Sequence, residues 1–170
     1  TQMTLDDEAF APKRLQGNIV FAWFKSISES KIIPYELSFI KVVDGVPKEH
    51  YTTYVYCRDV LSIDAQYKAY VTNAPRLGDL VPDLVKFLDK TLVVSFDAAA
   101  LQTLLADTAK PLRLKLDAEF WDANQLSKKN KDKASFDKAL SAHGIMPLSD
   151  TSYEYAYSLY ELYLEVKGAQ

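Results

Sequence analysis

Ile19-Val20-Phe21-Ala22-Trp23-Phe24-Lys25-Ser26 is the stretch whose reading decides the fold. A strand repeats every two residues, so Ile19, Phe21, Trp23 and Lys25 share one face and Val20, Ala22, Phe24 and Ser26 the other. Apolar residues on both faces predict cover on both sides, the habit of a central strand in a mixed sheet flanked by helices. Trp23 and Lys25 end that strand, where an enzyme of this build would place its reactive groups.

Working outward, residues 1–17 are polar and carry Pro12, Lys13 and Arg14, and read as an N-terminal arm. Residues 168–170 read as a tail, which leaves 18–167 as the domain, with strand one at about 18–25. An apolar run over 32–43 predicts a second strand, with Pro34 suited to its start. Asp44-Gly45 is a hairpin dipeptide, and Tyr51-Thr52-Thr53-Tyr54-Val55-Tyr56 returns as a third strand. The pattern weakens over 62–72, which reads as irregular. Leu77, Leu80, Val81, Leu84, Val85 and Leu88 then recur at three and four, predicting an amphipathic helix over 74–89 whose regular part Pro82 delays. Residues 91–96 form a short apolar strand, and Asp97 is typed to cap a helix ending near 109. Leu112, Leu114 and Leu116 alternate with Arg113, Lys115 and Asp117, a half-covered strand. The lysine run at 127–133 reads as a solvated turn, 137–143 as a short helix, and 153–166 as a closing helix with Tyr155, Leu159, Leu162 and Val166 on one face.

The chain has 170 residues, 48% hydrophobic and 25% charged, which suits one globular domain with a core of its own. A net charge of -3 opposes binding nucleic acid by bulk charge, which needs a basic face. A local basic patch stays open. With one cysteine, Cys57, there is no internal disulfide, and no Cys/His cluster has zinc spacing. There is neither a signal peptide nor an apolar run long enough for a bilayer, so the expected location is cytoplasmic with no membrane partner.

Several strings, in their order, resemble the DnaQ-like (DEDD) 3'-5' exonucleases, whose sheet is ribonuclease H-like. They are Ile40-Lys41-Val42-Val43-Asp44-Gly45; Val71-Thr72-Asn73-Ala74-Pro75 through Phe87-Leu88; Leu92-Val93-Val94; Asp137-Lys138-Ala139-Leu140 with His143-Gly144-Ile145; and Ala156-Tyr157 to Glu161-Leu162-Tyr163-Leu164. The resemblance spans about 18–167. It implies an α/β fold: a mixed sheet of three antiparallel strands followed by two parallel ones, with helices on both faces.

The family's reaction uses four carboxylates to hold two divalent cations about 4 Å apart, and the histidine form adds a general base. Under this resemblance the first Asp-x-Glu falls on Trp23-Phe24-Lys25, the second aspartate on Ala100, the base on Asp150 or a neighbour, and the last aspartate on Tyr155. The family's His-Asn ahead of the second aspartate becomes Ser95-Phe96. All four metal ligands are missing. Trading a carboxylate for Lys25 swings the local charge by two units, and each unit charge about 4 Å from another is worth roughly 4 kcal/mol at an effective dielectric near 20. Such a site repels the cations it should bind.

The resemblance therefore implies a degenerate member without cofactor, its vestigial cleft formed by Trp23, Lys25, Asp97, Ala100, Asp150 and Tyr155. Trp23 and Tyr155 are expected to plug it, with Lys25 paired to Asp150 or Asp97. The expected role is a binding or scaffolding module linked to DNA replication, repair or RNA processing, with a protein or single-stranded nucleic acid as partner. One alternative is an active metal-dependent 3'-5' exonuclease using Mg or Mn on displaced acids such as Asp97, Asp150 and Glu154. Another is a protein-protein interaction module with no nucleic-acid role.

Simpler readings compete at each residue. Helix capping explains Asp97 by position alone, and capping suits Asp150 before Thr151-Ser152 as well. Glu154 and Glu161 read as solvated. His143 reads as structural, His50 has no visible partner, and Cys57 reads as a half-buried strand residue rather than a nucleophile. The eleven tyrosines could stack bases or line an interface, but strand propensity and core filling carry more weight.

Overall fold

A computed structural model of the chain describes residues 17–27, 32–126 and 133–168. Five strands form one sheet: β1 (Asn18–Ser26), β2 (Pro34–Val43), β3 (Val46–Tyr54), β4 (Thr91–Ser95) and β5 (Ala118–Asp122), in the order β3-β2-β1-β4-β5. Strand β1 is central, antiparallel to β2 and parallel to β4. Strand β3 runs antiparallel to β2, and β5 parallel to β4. This is the expected three antiparallel strands followed by two parallel ones. The helices are α1 (Ala65–Thr72), α2 (Leu77–Leu88), α3 (Ala98–Ala109), α4 (Lys133–Ala142) and α5 (Ser152–Tyr163), with a π turn at Leu164–Gly168.

The two faces of β1 account for the two main cores. Ile19 and Phe21 pack with Ile40, Val42 and Val94 against Tyr155, Ala156, Leu159 and Tyr163 of α5. Val20 and Ala22 pack with Leu37, Phe39 and Val93 against Leu80, Val81, Leu84 and Leu88 of α2 and Leu101 and Leu105 of α3. A buried Leu-sized side chain contributes about 1.5–3 kcal/mol, so α2 withstands the backbone bond that Pro82 removes. The helix begins at Leu77 and runs through Pro82 rather than being delayed by it.

The hairpin turns through Asp44 (φ 49°) and Gly45 (φ 87°), both left-handed, as a two-residue β-turn of the primed class requires. Gly17 closes over the turn: its N–H donates to Asp44 Oδ1 at 2.8 Å and its carbonyl accepts from Asp44 N at 3.0 Å. The rest of the expected arm, residues 1–16, lies outside the described residues, as do 127–132 of the lysine run and 169–170 of the tail.

Further readings need correction. Residues 62–72 are not irregular: a 3-10 turn at Val60–Ser62 leads into α1, which buries only Tyr67 and Val71. Two apolar positions four apart are too few for a visible stripe. The alternation at Leu112, Leu114 and Leu116 is not a strand. Pro111 lies in a 3-10 turn at Lys110–Leu112, Arg113 turns left-handed (φ 57°), and pairing begins only at Ala118. The third strand starts at Val46, directly after the turn, and ends at Tyr54. Cys57 follows that strand and is fully buried with Ile63, Tyr67 and Val71.

Candidate functional site

The alternation of β1 puts Trp23 and Lys25 on the α5 side, beyond the point where Ile19 and Phe21 are sealed into the core. Trp23 stacks on Tyr155, with ring centroids 5.0 Å apart and planes at 28°. It also meets Phe136 of α4 at 4.9 Å and the edge of Phe96, just after β4, at 5.6 Å. Phe96 and Phe136 close the group at 4.9 Å, edge to face. Each such pair contributes about 0.5–1.5 kcal/mol beyond its buried area. The Tyr155 hydroxyl donates to Asp137 Oδ1 at 3.0 Å, so the ring is held at both ends. Four rings from β1, the end of β4, α4 and α5 thus fill the place between those elements.

Lys25 lies one strand period further out. Its Nζ is 3.1 Å from Asp150 Oδ2 and 3.2 Å from the Tyr67 hydroxyl, and stands 4.8 Å from the Tyr67 ring centre. The lysine side chain is 13% exposed and that of Asp150 65%. Burial pulls the Lys25 pKa down, but the hydrogen bonds to Tyr67 and Asp150 and the charge of Asp150 outweigh it, so the net movement is above 10.5. At neutral pH the group is an ammonium, with no lone pair for nucleophilic or base chemistry.

Glu36 lies across the ladder from Lys25 and is only 3% exposed. Its Oε2 accepts the backbone N–H of Ser152, and its Oε1 has no hydrogen-bond partner among the described residues. Ser38 Oγ, two residues on along β2, is 2.7 Å from Ser152 Oγ and 3.1 Å from Thr52 Oγ1. Strand β2 thereby fixes the start of α5. Thr151, not Asp150, is the N-cap, accepting from Glu154 N at 3.3 Å. Asp150 sits just ahead of this anchored helix end, which presents its carboxylate to Lys25.

The structure brings together Trp23, Lys25, Asp150 and Tyr155. It leaves Asp97 and Ala100 aside: Asp97 is exposed, Ala100 is half-buried in the first turn of α3, and Lys25 pairs with Asp150 instead of Asp97. Asp97 precedes α3 but adopts a left-handed conformation (φ 53°) and makes no side-chain cap. The acceptor for that helix end is Asp122 Oδ2 on β5, 3.3 Å from Ala98 N. His50, expected to lack a partner, meets the Tyr153 ring at 5.1 Å and Thr52 Oγ1 at 3.4 Å.

Sequence reasoning missed Phe136, Tyr67 and Glu36. The signal for Glu36 was an acid in an apolar strand, sharing a face with Ser38. Tyr67 fell in the stretch read as irregular.

Trp23, Lys25, Ala100 and Tyr155 offer an indole, an ammonium, a methyl group and a phenol, and none of these supplies the carboxylate oxygens that Mg2+ or Mn2+ favours. Among the described residues no three His, Cys, Asp or Glu side chains converge as metal ligands do. Among the described residues, no helix is long and apolar enough to cross a membrane.

No protein-family model matches the chain, and no curated protein does. Solved structures do. A product-bound exonuclease I superposes with a TM-score of 0.65 at 11% identity, covering 91% of this chain and 45% of the other. A zinc-bound E. coli exonuclease I complex with single-stranded DNA gives 0.66 at 12% identity, covering 91% and 41%. An ExoI/SSB-Ct complex gives 0.63 at 11%, covering 91% and 42%. This chain thus spans less than half the length of these structures. At such identities the likeness concerns the fold, and the fold is the ribonuclease H-like sheet of the exonuclease I structures.

Proposed function

We propose that this chain is a nuclease-related domain that has given up two-metal hydrolysis and serves as a binding or scaffolding module. The observation that carries this reading is the filled cleft: Trp23 stacked on Tyr155 and flanked by Phe96 and Phe136, with the Lys25 ammonium fixed beside it by Asp150 and Tyr67. A hydrolytic site needs an open, carboxylate-lined space for two cations and an attacking water. Here rings occupy that space, and the adjoining Lys25 ammonium already holds the nearby Asp150 carboxylate. The partners that suit the reading are a protein or single-stranded nucleic acid, since the exonuclease I neighbours include a complex with single-stranded DNA and an ExoI/SSB-Ct complex. A cytoplasmic setting and the absence of a cofactor belong to the same proposal.

Calorimetric titration with Mn2+ tests it. The expected result is no tight two-site binding by the natural chain. A Trp23→Asp/Lys25→Glu double variant is expected to remain without nuclease activity, because Ala100 and Tyr155 still lack carboxylates. Two tight sites in the natural chain would overturn the proposal.

A further inference from the structure

Among the described residues Glu36 is the only acidic or basic residue that is fully buried, and half of its carboxyl group is without a partner. Its Oε2 accepts the Ser152 N–H at the start of α5, whereas Oε1 meets no donor among the described residues. A buried polar atom left in this way is destabilising, so a donor able to reach it is drawn away from its present contacts. We propose that Lys25 is a two-position latch, seated on Asp150 in this structure and turning to Glu36 Oε1 when Asp150 is withdrawn.

Three observations carry this. The first is register. Lys25 on β1 and Glu36 on β2 are direct partners in the antiparallel ladder, which is regular through this pair and shifts only between Lys25 and Ser26. Direct partners point to the same face with Cβ atoms about 4.5–5.5 Å apart, within the reach of a lysine's four-carbon stem.

The second is the count of donors. An ammonium has three N–H groups, and Lys25 donates one to Asp150 Oδ2 at 3.1 Å and one to the Tyr67 hydroxyl at 3.2 Å. The hydroxyls on the same face are engaged with one another, Ser38 Oγ with Ser152 Oγ at 2.7 Å and with Thr52 Oγ1 at 3.1 Å. The third N–H of Lys25 is a spare donor on the strand next to Glu36.

The third is electrostatic. Burial pushes the Tyr35 and Tyr54 hydroxyls up, and on each of them Lys25 acts downward while Glu36 acts upward. The ammonium and the buried carboxyl therefore share one neighbourhood. Solvent screens the outer pair, since the Asp150 side chain is 65% exposed, and desolvation opposes drawing the ammonium further in, so neither seat dominates by charge alone. In the outer seat Lys25 ties β1 to the residue just ahead of α5, and in the inner seat it ties β1 to β2. A change that takes Asp150 out of reach is thereby passed from the exposed surface to the buried carboxyl that holds Ser152.

The test withdraws Asp150 by Asp150→Ala. The residue is exposed and Thr151 caps α5, so the variant keeps the fold, which an unchanged circular dichroism spectrum verifies. Its crystal structure is expected to show Lys25 Nζ at hydrogen-bond distance from Glu36 Oε1, about 2.7–3.2 Å. In solution, urea unfolding of Lys25→Met, Glu36→Gln and the double variant measures the coupling of the two residues. That coupling is expected to be larger in the Asp150→Ala background than in the natural one by roughly fivefold in the unfolding equilibrium constant. Lys25 staying on Tyr67 with its Nζ turned to solvent, Lys25 turning to Asp64, or a coupling equal in the two backgrounds would overturn the proposal. Neither readout involves metal or cleavage, so the result is separate from the reading of the Trp23 cluster as a filled cleft.

Discussion

Lys25 and Trp23 are neighbours on one strand face, yet they hold the fold by different means and to different degrees. Asp150 is 65% exposed, so the Lys25 pair is solvent-screened, and such pairs contribute about 1 kcal/mol or less. Trp23 loses an indole from a four-ring cluster, and large aromatic truncations cost about 3–5 kcal/mol when fully buried. Trp23 is half-buried, which places Trp23→Ala near the lower end, about 3 kcal/mol. Urea unfolding is expected to rank Trp23→Ala well below Asp150→Ala in stability; the reverse order would mean that the ion pair, not the rings, closes the cleft. The pH dependence has a definite sign. Lys25 is raised above 10.5, and burial raises Tyr35, Tyr51, Tyr54 and Tyr160 above 10.0. In each case the folded state holds its proton more tightly than the unfolded chain, so the stabilisation is complete below the ordinary value and fades as pH rises through the folded one. Melting temperature is therefore expected to be insensitive to these groups from pH 7 to about 9 and to fall above about 10. A rise in that alkaline range would contradict the burial and pairing of these groups.

At the scale of elements, the start of α3 separates position from chemistry. Asp97 stands where a cap should, but its left-handed backbone turns it away, and Asp122 from the neighbouring strand accepts the Ala98 N–H instead. Asp122→Ala is expected to cost about 0.5–2 kcal/mol, the range for losing a helix-end acceptor. Asp97→Gly is expected to be neutral or stabilising, because glycine adopts φ 53° without a Cβ penalty. Chemical denaturation of the two variants checks the order, and equal losses would restore Asp97 as the cap. Elements with many repeated apolar positions, such as β1 and α2, were legible in the chain itself. Helix α1 was not, since it buries two side chains and depends on Ile63 and Cys57 from outside it. Strand β5 was displaced in the reading because leucine alternation outweighed Pro111 and the left-handed Arg113. The Trp23, Tyr155 and Asp150 groupings were legible only through their relation to a known fold. Phe136, Tyr67 and Glu36 join them by register and helix placement, which local pattern does not encode.

Across the whole molecule, a five-stranded sheet like that of the exonuclease I structures carries, at the end of β1, a place filled by the protein's own side chains. The two cores, one against α5 and one against α2 and α3, support that sheet without needing a metal to hold β1 and α5 together. Trp23 and Tyr155 pack with Phe96 and Phe136 at the end of β1, and Lys25 is paired there with Asp150; the proposed function rests on that packing. The central claim is that this arrangement does not support metal-dependent strand cleavage. The most direct measurement is incubation of the purified chain with end-labelled single-stranded DNA and RNA in Mn2+, alongside Trp23→Ala and Asp97→Ala variants. The account predicts full-length substrate in every lane; metal-dependent shortening that survives Trp23→Ala and disappears in Asp97→Ala would contradict it.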